Sequence, residues 1–295
     1  MTEYNVDPTS KKGLFSSINF KPTLEEVLKT AKTGDVITLS PGTYNLEEEI
    51  MLKPNFGNDN SAVVNDSAYI EAYLKTGRKE EYIPTEALII RGASNNADDV
   101  HLLGNVSIDN SAIIFENITF ENKNDVPAIT GDNNSEITFI NCILTEAQGQ
   151  DCTILLGKDR DTLITFSYSY IAEKDNSANI YFLGAISLYN TDLRSGLILR
   201  KDAIVSANKS NLNWIEAYDE SYVGIVQSKF DGAYYYATDS AKIEFYASAI
   251  ELGEEAVFAE AEKMQNFWGK IFILKAQNIF LQLNFQIMLQ LNSIL

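Results

Sequence analysis

Several carboxylate side chains follow short apolar runs that recur along this chain, and they could act together if the runs stack. Asp151, Glu173 and Asp175 are the candidate catalytic residues. Two carboxylates ~5–9 Å apart are the arrangement that hydrolyses glycosidic bonds. Neighbouring strands lie ~4.8 Å apart, so carboxylates one or two strands apart would reach that separation. The alternative is that these side chains only form a solvated acidic face.

Aromatic side chains follow the same runs farther along the chain. Trp214, Tyr218, Tyr234 and Tyr236 are the candidate carbohydrate-binding residues, because a flat ring can stack on the apolar face of a sugar. Alternation with period two places Tyr235 on the side opposite Tyr234 and Tyr236, which predicts that at least one of the three lies in the core. The outward positions after the last apolar column are Glu146, Gln148, Glu173, Asp175, Trp214, Glu216, Tyr234 and Glu254.

These candidates are positioned by an eight-residue pattern that occurs seven times between residues 111 and 252. Each copy reads apolar, any, apolar, any, a register residue, small, any, apolar. Units of about 20 residues are typical of a solenoid, in which each coil is stabilised by its neighbours. The seven register residues are Asn117, Asn141, Tyr168, Asn190, Lys209, Gln227 and Ala247.

The apolar residues alternate with period two on both sides of each register residue, which predicts two strands. The alternation of apolar residues shifts by one position at the register residue, which predicts a sharp bend between the two strands. A further apolar run in most copies, such as residues 153–156, brings the total to about three strands per coil. Asn tolerates left-handed backbone, so Asn117, Asn141 and Asn190 are predicted to form a structural asparagine ladder at this bend.

A short amphipathic segment precedes the first coil. Apolar residues between 24 and 31 share one helical face, and Thr23 with Glu26 matches a capping box. The helix is predicted to stop at Gly34 and to cover the open end of the first coil. A Gly-Asp turn, an apolar strand and a Pro-Gly-Thr-Tyr turn follow and end at Tyr44.

Residues 23–44 resemble the opening of right-handed parallel β-helix proteins of the pectate-lyase-like superfamily. Together with the seven repeats, the resemblance covers most of residues 23–260. It implies an all-β, right-handed parallel β-helix with about three strands per coil and an N-terminal helix cap. It is specific for fold but not for activity, because that superfamily includes lyases, hydrolases, esterases, tailspikes and adhesins.

Catalytic motifs of two enzyme families in that superfamily are matched only in part. Pectin methylesterases carry a Gln-Asp pair, matched here by Gln150 and Asp151, and later a nucleophilic Asp. At the position of that nucleophile this chain has Asn179, which cannot attack. Pectate lyases need an Arg base beside a calcium-binding Asp cluster. The mid-coil arginines are Arg160, Arg194 and Arg200, and none has a convincing Asp cluster beside it.

Charge and composition exclude several other function classes. The chain has 295 residues, with 23 basic and 41 acidic side chains and a net charge of −18. Such a surface repels phosphate backbones and anionic lipid, so neither nucleic acid nor a membrane is an expected partner. The chain has one histidine, His101, and two cysteines without metal-ligand spacing. These residues are too few for a zinc site or a His-based triad. Cys142 falls in the small column and is predicted to be a buried free thiol.

Two segments depart from the coil pattern. Residues 54–86 have a loop composition and are predicted to be an insertion that either walls a groove or only decorates the coils. From 281 to 291, apolar residues alternate with Gln, Asn and Met, an uncharged strand pattern. That strand is predicted to pack on the last coil, to pair with another chain, or to be part of something longer.

The sequence therefore predicts a lead-in at 1–22, a β-helix at 23–265 and a C-terminal cap or pairing segment at 266–295. The favoured function is a non-catalytic β-helix that binds a polysaccharide or acts as a scaffold, with self-association through the C-terminal segment. The alternative is a polysaccharide lyase or glycoside hydrolase acting on a groove-bound acidic glycan. No cofactor is expected, except Ca²⁺ if the chain is a lyase. The N-terminus lacks an apolar signal segment, which predicts a cytoplasmic location or export by a signal-independent route.

Overall fold

A computed structural model describes residues 2–9, 22–46, 49–52, 87–123, 126–145, 153–171, 179–237, 239–252, 257–258 and 267–276. Within these residues the chain forms 25 strands, one short α-helix at Leu24–Leu28 and a 3-10 turn at Ala97–Asp99. None of the helices described is long and apolar enough to cross a membrane. The predicted insertion at 54–86 and the predicted strand at 281–291 lie outside the described residues.

The strands wind through three parallel sheets, which we call A, B and C in the order that each coil visits them. Sheet A contains Glu3–Val6, Val36–Leu39, Leu88–Gly92, Ala112–Glu116, Glu136–Ile140, Leu163–Ser167, Ala185–Tyr189, Ile204–Asn208 and Tyr222–Val226. Sheet B contains Gly42–Asn45, Val100–Leu103, Thr119–Glu121, Ile143–Thr145 and Tyr170–Ile171. Sheet C contains Ile50–Leu52, Val106–Asp109, Ile129–Asp132, Thr153–Gly157, Asn179–Phe182 and Val257–Phe258.

Longer strands run through a corner and belong to two sheets. Those that pass from sheet B to sheet C are Asp192–Leu199, Asn211–Ala217 and Lys229–Ala237. Those that pass from sheet A to sheet B are Lys242–Leu252 and Phe267–Ala276. The predicted count of about three strands per coil is confirmed, and all the pairings are parallel.

The predicted stacking of the repeats is confirmed residue by residue. Ile113, Ile137 and Ile164 are register partners on successive strands of sheet A. The seven register residues have φ angles of 54°, 50°, 54°, 49°, 51°, 48° and 50° in chain order. Each therefore takes the left-handed conformation, and it does so where the chain turns from sheet A to sheet B. The change of phase in the sequence marks this bend.

The core lies inside the coils and contains a ladder of stacked phenylalanine rings. Phe139 lies between Phe115 and Phe166, with ring centroids 5.4 Å and 4.7 Å away and interplanar angles of 20° and 10°. Phe120 meets Phe139 edge-on at 5.7 Å. All four rings are fully buried. Burial of such large side chains is the main stabilising contribution that each coil makes to its neighbours.

Side-chain hydrogen bonds run along the bend between sheets A and B. Asn141 donates from Nδ2 to Asn117 Oδ1 at 2.7 Å, so the predicted asparagine ladder is present at these two coils. In the adjacent small column, the backbone N–H of Ser210 donates to the hydroxyl of Ser228 at 3.0 Å, and that of Ser228 to Ser248 at 3.2 Å. Buried backbone groups at the bend are satisfied in this way from one coil to the next.

The N-terminal helix begins as predicted and ends earlier. Thr23 and Glu26 form the complete capping box. The helix ends at Leu28 rather than near Gly34, and the Thr30 hydroxyl donates to the carbonyl oxygens of Glu26 and Val27. Such side-chain bonds compete with helix continuation. The apolar face of the helix is buried in the main core, while its role as a cap of the first coil stays a prediction.

The outward face of sheet A is also buried over its first strands. A second apolar cluster there includes Val36, Ile89, Ile114 and Ile140. Glu116 lies on the same face, in register with Ile140 on the following strand, and is completely buried. Burial raises the pKa of the Glu116 carboxyl from 4.5 to about 8. This carboxyl group therefore favours its neutral form over a wide pH range.

Candidate functional site

Three of the sequence-predicted residues come together on the outward face of sheet C. Trp214 and Glu216 lie on the strand Asn211–Ala217, and Tyr218 follows it directly. Ile215 and Ala217 between them are fully buried in the core, so alternation directs the other three side chains outward. All three are half-buried. Their strand is paired with a neighbouring strand on each side. Such a strand can present these side chains as a preformed binding surface.

Glu216 joins the two aromatic residues. The indole Nε1–H of Trp214 donates to Glu216 Oε1 at 3.1 Å, and the Tyr218 hydroxyl donates to Glu216 Oε2 at 2.7 Å. Hydrogen bonds to a carboxylate are stronger than neutral ones, so both rings are held in fixed orientations. We call these three residues, with Arg200, the sheet C cluster.

Arg200 completes the cluster from the preceding coil. Its guanidinium carbon lies 3.6 Å from the centroid of the Tyr218 ring, which is a cation–π contact. Among the residues that the structure describes, the guanidinium makes no hydrogen bond or ion pair. The guanidinium therefore brings its N–H donors next to the Tyr218 ring.

The remaining candidate tyrosines are only partly placed. Tyr234 is the register partner of Trp214 on the next strand, and Tyr236 is that of Glu216. The structure describes the backbone of these two residues and not their side chains. Tyr222, another tyrosine of the same region of the sequence, lies on the outward face of sheet A, where its hydroxyl donates to Glu244 at 2.8 Å.

The candidate catalytic residues Asp151, Glu173 and Asp175 lie outside the described residues, as do Glu146, Gln148, Gln150 and Glu254. Asn179 begins a strand of sheet C. Across the described ranges, no group of three or more His, Cys, Asp and Glu side chains could hold a metal ion.

The single histidine and the described cysteine are held in structural settings. His101 Nδ1 lies 3.1 Å from Glu121 Oε1, and its Nε2 lies 2.9 Å from the carbonyl oxygen of Asp98, so both ring nitrogens are engaged. Cys142 is a free, buried cysteine, as predicted. Burial raises the pKa of its thiol to about 12, which disfavours the reactive thiolate.

The sheet C cluster offers three kinds of contact within one small surface. The faces of Trp214 and Tyr218 are apolar, the Glu216 oxygens keep lone pairs after accepting two hydrogen bonds, and Arg200 supplies donors. Apolar ring faces with acceptors and donors at their edges match a sugar, which has apolar C–H faces and a rim of hydroxyl groups. This set of contacts suits a ligand with apolar faces and hydroxyl groups.

The sequence pattern predicted the two aromatic residues as candidates and Glu216 only as an outward position, without a link between them. The period-two spacing of residues 214, 216 and 218 was the signal that could have joined them. Arg200 was not recognised as a partner. It precedes Tyr218 by one coil, and the spacing of the neighbouring register residues could have revealed this.

Taken together, the stacked coils and three parallel sheets define a parallel β-helix with an aromatic and charged cluster on one outward face.

No protein-family model matches the sequence, and no curated protein matches it. Solved structures do match the fold. Pectate lyase Pel9A is 12% identical, with a TM-score of 0.52, over 90% of this chain and 79% of that chain.

Two further solved structures are similar to this chain to different degrees. The PL6 family alginate lyase AlyGC is 11% identical, with a TM-score of 0.53, over 92% of this chain and 39% of that chain. The pectin methylesterase from Aspergillus niger is 12% identical, with a TM-score of 0.46, over 90% of this chain and 83% of that chain. The predicted resemblance to pectate-lyase-like β-helix proteins is confirmed at the level of the fold.

Proposed function

We propose that this protein is a non-catalytic, carbohydrate-binding β-helix and that the sheet C cluster is its binding surface. The observation that carries the proposal is the linkage of Trp214 and Tyr218 through Glu216. Two aromatic rings fixed by one carboxylate lose little conformational entropy when a ligand binds. The fold supports a carbohydrate-related role, since similar folds occur in proteins described as a pectate lyase and an alginate lyase.

Charge favours an uncharged glycan as the ligand. The whole chain carries a net charge of −18, which repels polyanions over distances set by the ionic strength. The cluster itself contains one carboxylate and one guanidinium group, so its local charge is balanced. Hydroxyl groups can accept from Arg200 and donate to Glu216, and no charge on the sugar is required.

Replacing Trp214 with alanine is expected to weaken binding to a neutral polysaccharide at least about tenfold, equivalent to 1.4 kcal/mol. The reason is that the largest apolar contact surface of the cluster is removed. The measurement is binding of purified protein to an array of neutral and acidic glycans, with and without the substitution.

Tyr222→Ala is the control for this experiment, because Tyr222 is also hydrogen-bonded to a glutamate but lies on sheet A. It should leave binding unchanged. Equal losses in both variants would contradict the location of the site on sheet C.

The non-catalytic part of the proposal is tested by incubating the protein with acidic polysaccharides, with and without Ca²⁺. No turnover is expected. Turnover that is abolished by Asp151→Ala or Asp175→Ala would contradict the proposal and support the lyase or hydrolase alternative.

A further inference from the structure

A second aromatic surface lies on a different side of the coil, at the corner between sheets A and B. Tyr168 and Tyr189 come from successive coils, with ring centroids 5.7 Å apart and planes inclined by 70°. Lys209, one coil further, places Nζ 5.6 Å from the centroid of the Tyr189 ring. Tyr170, two residues after Tyr168, is 41% exposed. We call these four residues the corner patch.

Tyr168 occupies a backbone position that does not suit a tyrosine. Its φ angle is 54°, in the left-handed region, while the register residues of the coils before and after it are Asn141 and Asn190. Asparagine adopts this conformation more readily than a bulky aromatic residue does. A tyrosine here interrupts the asparagine ladder and costs conformational free energy. Because strained residues of this kind cluster at functional sites, the position suggests that the ring itself is used.

The corner patch is fixed in place by the fold. The backbone N–H of Tyr168 donates to the carbonyl oxygen of Tyr189 at 3.0 Å, so the two coils are locked in register. Burial, followed by the neighbouring Tyr189 hydroxyl, raises the pKa of the Tyr168 hydroxyl. The Tyr168 ring therefore carries a neutral hydroxyl group at physiological pH.

The surroundings of the patch are polar. Asn208 is the register partner of Tyr189, and Asp192 is the register partner of Tyr170. Asp192 forms an ion pair with Arg194 at 2.7 Å. The centres of protein–protein interfaces are depleted of charged residues. The tyrosine rings lie near the Asn208 amide, the Lys209 ammonium group and the ion pair of Asp192. Such polar surroundings suit a hydroxyl-rich ligand better than a protein partner.

We propose that the corner patch is a second glycan-binding site, separate from the sheet C cluster and taking the same class of neutral polysaccharide. This inference rests on the proposed function. It adds that one molecule contacts glycan on two faces. Both sites combine two or more aromatic rings, a cation above a tyrosine ring and a nearby carboxylate.

The test uses Tyr168→Asn, which gives this coil the register residue of the coils on either side. We expect the thermal stability of the variant to be unchanged or raised. Its affinity for an immobilised neutral polysaccharide should fall about tenfold, equivalent to 1.4 kcal/mol. Tyr189→Ala should cause a similar loss. Gln227→Asn, at a register position outside the patch, is the matched control and should bind as the unchanged chain does.

Trp214→Ala separates this inference from the proposed function. A further loss when Tyr168→Asn is combined with Trp214→Ala supports two sites. A loss with Tyr168→Asn but none with Trp214→Ala supports the corner patch and contradicts the sheet C cluster. If Trp214→Ala abolishes binding and Tyr168→Asn has no effect, the corner patch is overturned and the proposed function stands. Failure to bind any neutral polysaccharide overturns both.

Discussion

Phe139→Ala is expected to lower the free energy of unfolding by about 3–5 kcal/mol, the usual range for removing a fully buried ring. The Phe139 ring is completely buried, stacks on Phe115 and Phe166, and meets Phe120 edge-on. Its removal takes contact surface away from three coils at once. The cost should be at the upper end of the range, since backbone hydrogen bonds to the coils on both sides limit collapse of the cavity. Denaturant unfolding followed by circular dichroism measures the change.

Phe139→Leu is the control for this prediction, since it keeps an apolar side chain at the same position and should cost clearly less. Ser187→Ala, on the outward face of sheet A, should have little effect. If Phe139→Ala cost no more than Ser187→Ala, the phenylalanine ladder would not be a stabilising feature of the core.

The stability of the protein is expected to fall as the pH rises from about 5 to 8, because of Glu116. The folded chain raises the pKa of this carboxyl from 4.5 to about 8. Between these values the folded state holds a proton that the unfolded state releases, so raising the pH favours unfolding. The loss is at most about 5 kcal/mol over the whole window, at about 1.4 kcal/mol per pH unit. Arg91 is the register partner of Glu116 on the preceding strand, and its Nε–H donates to the Thr38 hydroxyl at 3.2 Å.

Glu116→Gln should remove this pH dependence, since glutamine stays neutral and has nearly the same shape. The variant should be the more stable protein at pH 8 and should differ little from the unchanged chain near pH 5. Thermal unfolding across this pH range measures the effect, with the exposed Glu220→Gln as the control. If the thermal stability of Glu116→Gln depended on pH as strongly as that of the unchanged chain, another group would control the pH dependence.

Much of the fold was predictable because a solenoid repeats the same local rules. Strand alternation is a short-range pattern, and each register residue marks a bend at which the backbone becomes left-handed. A second series of left-handed residues, Lys201, Asp219 and Asp239, was missed. Their spacing follows that of the coils, and the backbone N–H of Lys201 donates to Asp219 Oδ2 at 2.8 Å. The residue types at these positions differ too much for the series to be recognised in the sequence.

The candidate site was less predictable because it depends on contacts between side chains rather than on periodicity. Alternation placed Trp214 and Glu216 on one face, but it did not reveal that one carboxylate holds two rings. Stacking of Arg200 on Tyr218 required the register of neighbouring coils to be known. The early end of the N-terminal helix was also missed, and the hydrogen bonds of the Thr30 hydroxyl just beyond it cannot be read from the sequence.

If Glu216 fixes two aromatic rings into a glycan-binding surface, Glu216→Ala should lose glycan binding. Calorimetric titration with a polysaccharide selected from the array would compare this variant with Glu244→Ala, whose carboxylate accepts from Tyr222 on sheet A. We expect a loss of affinity of at least about tenfold for Glu216→Ala and none for Glu244→Ala. Unchanged binding by Glu216→Ala, in a variant that remains folded, would contradict this role of Glu216.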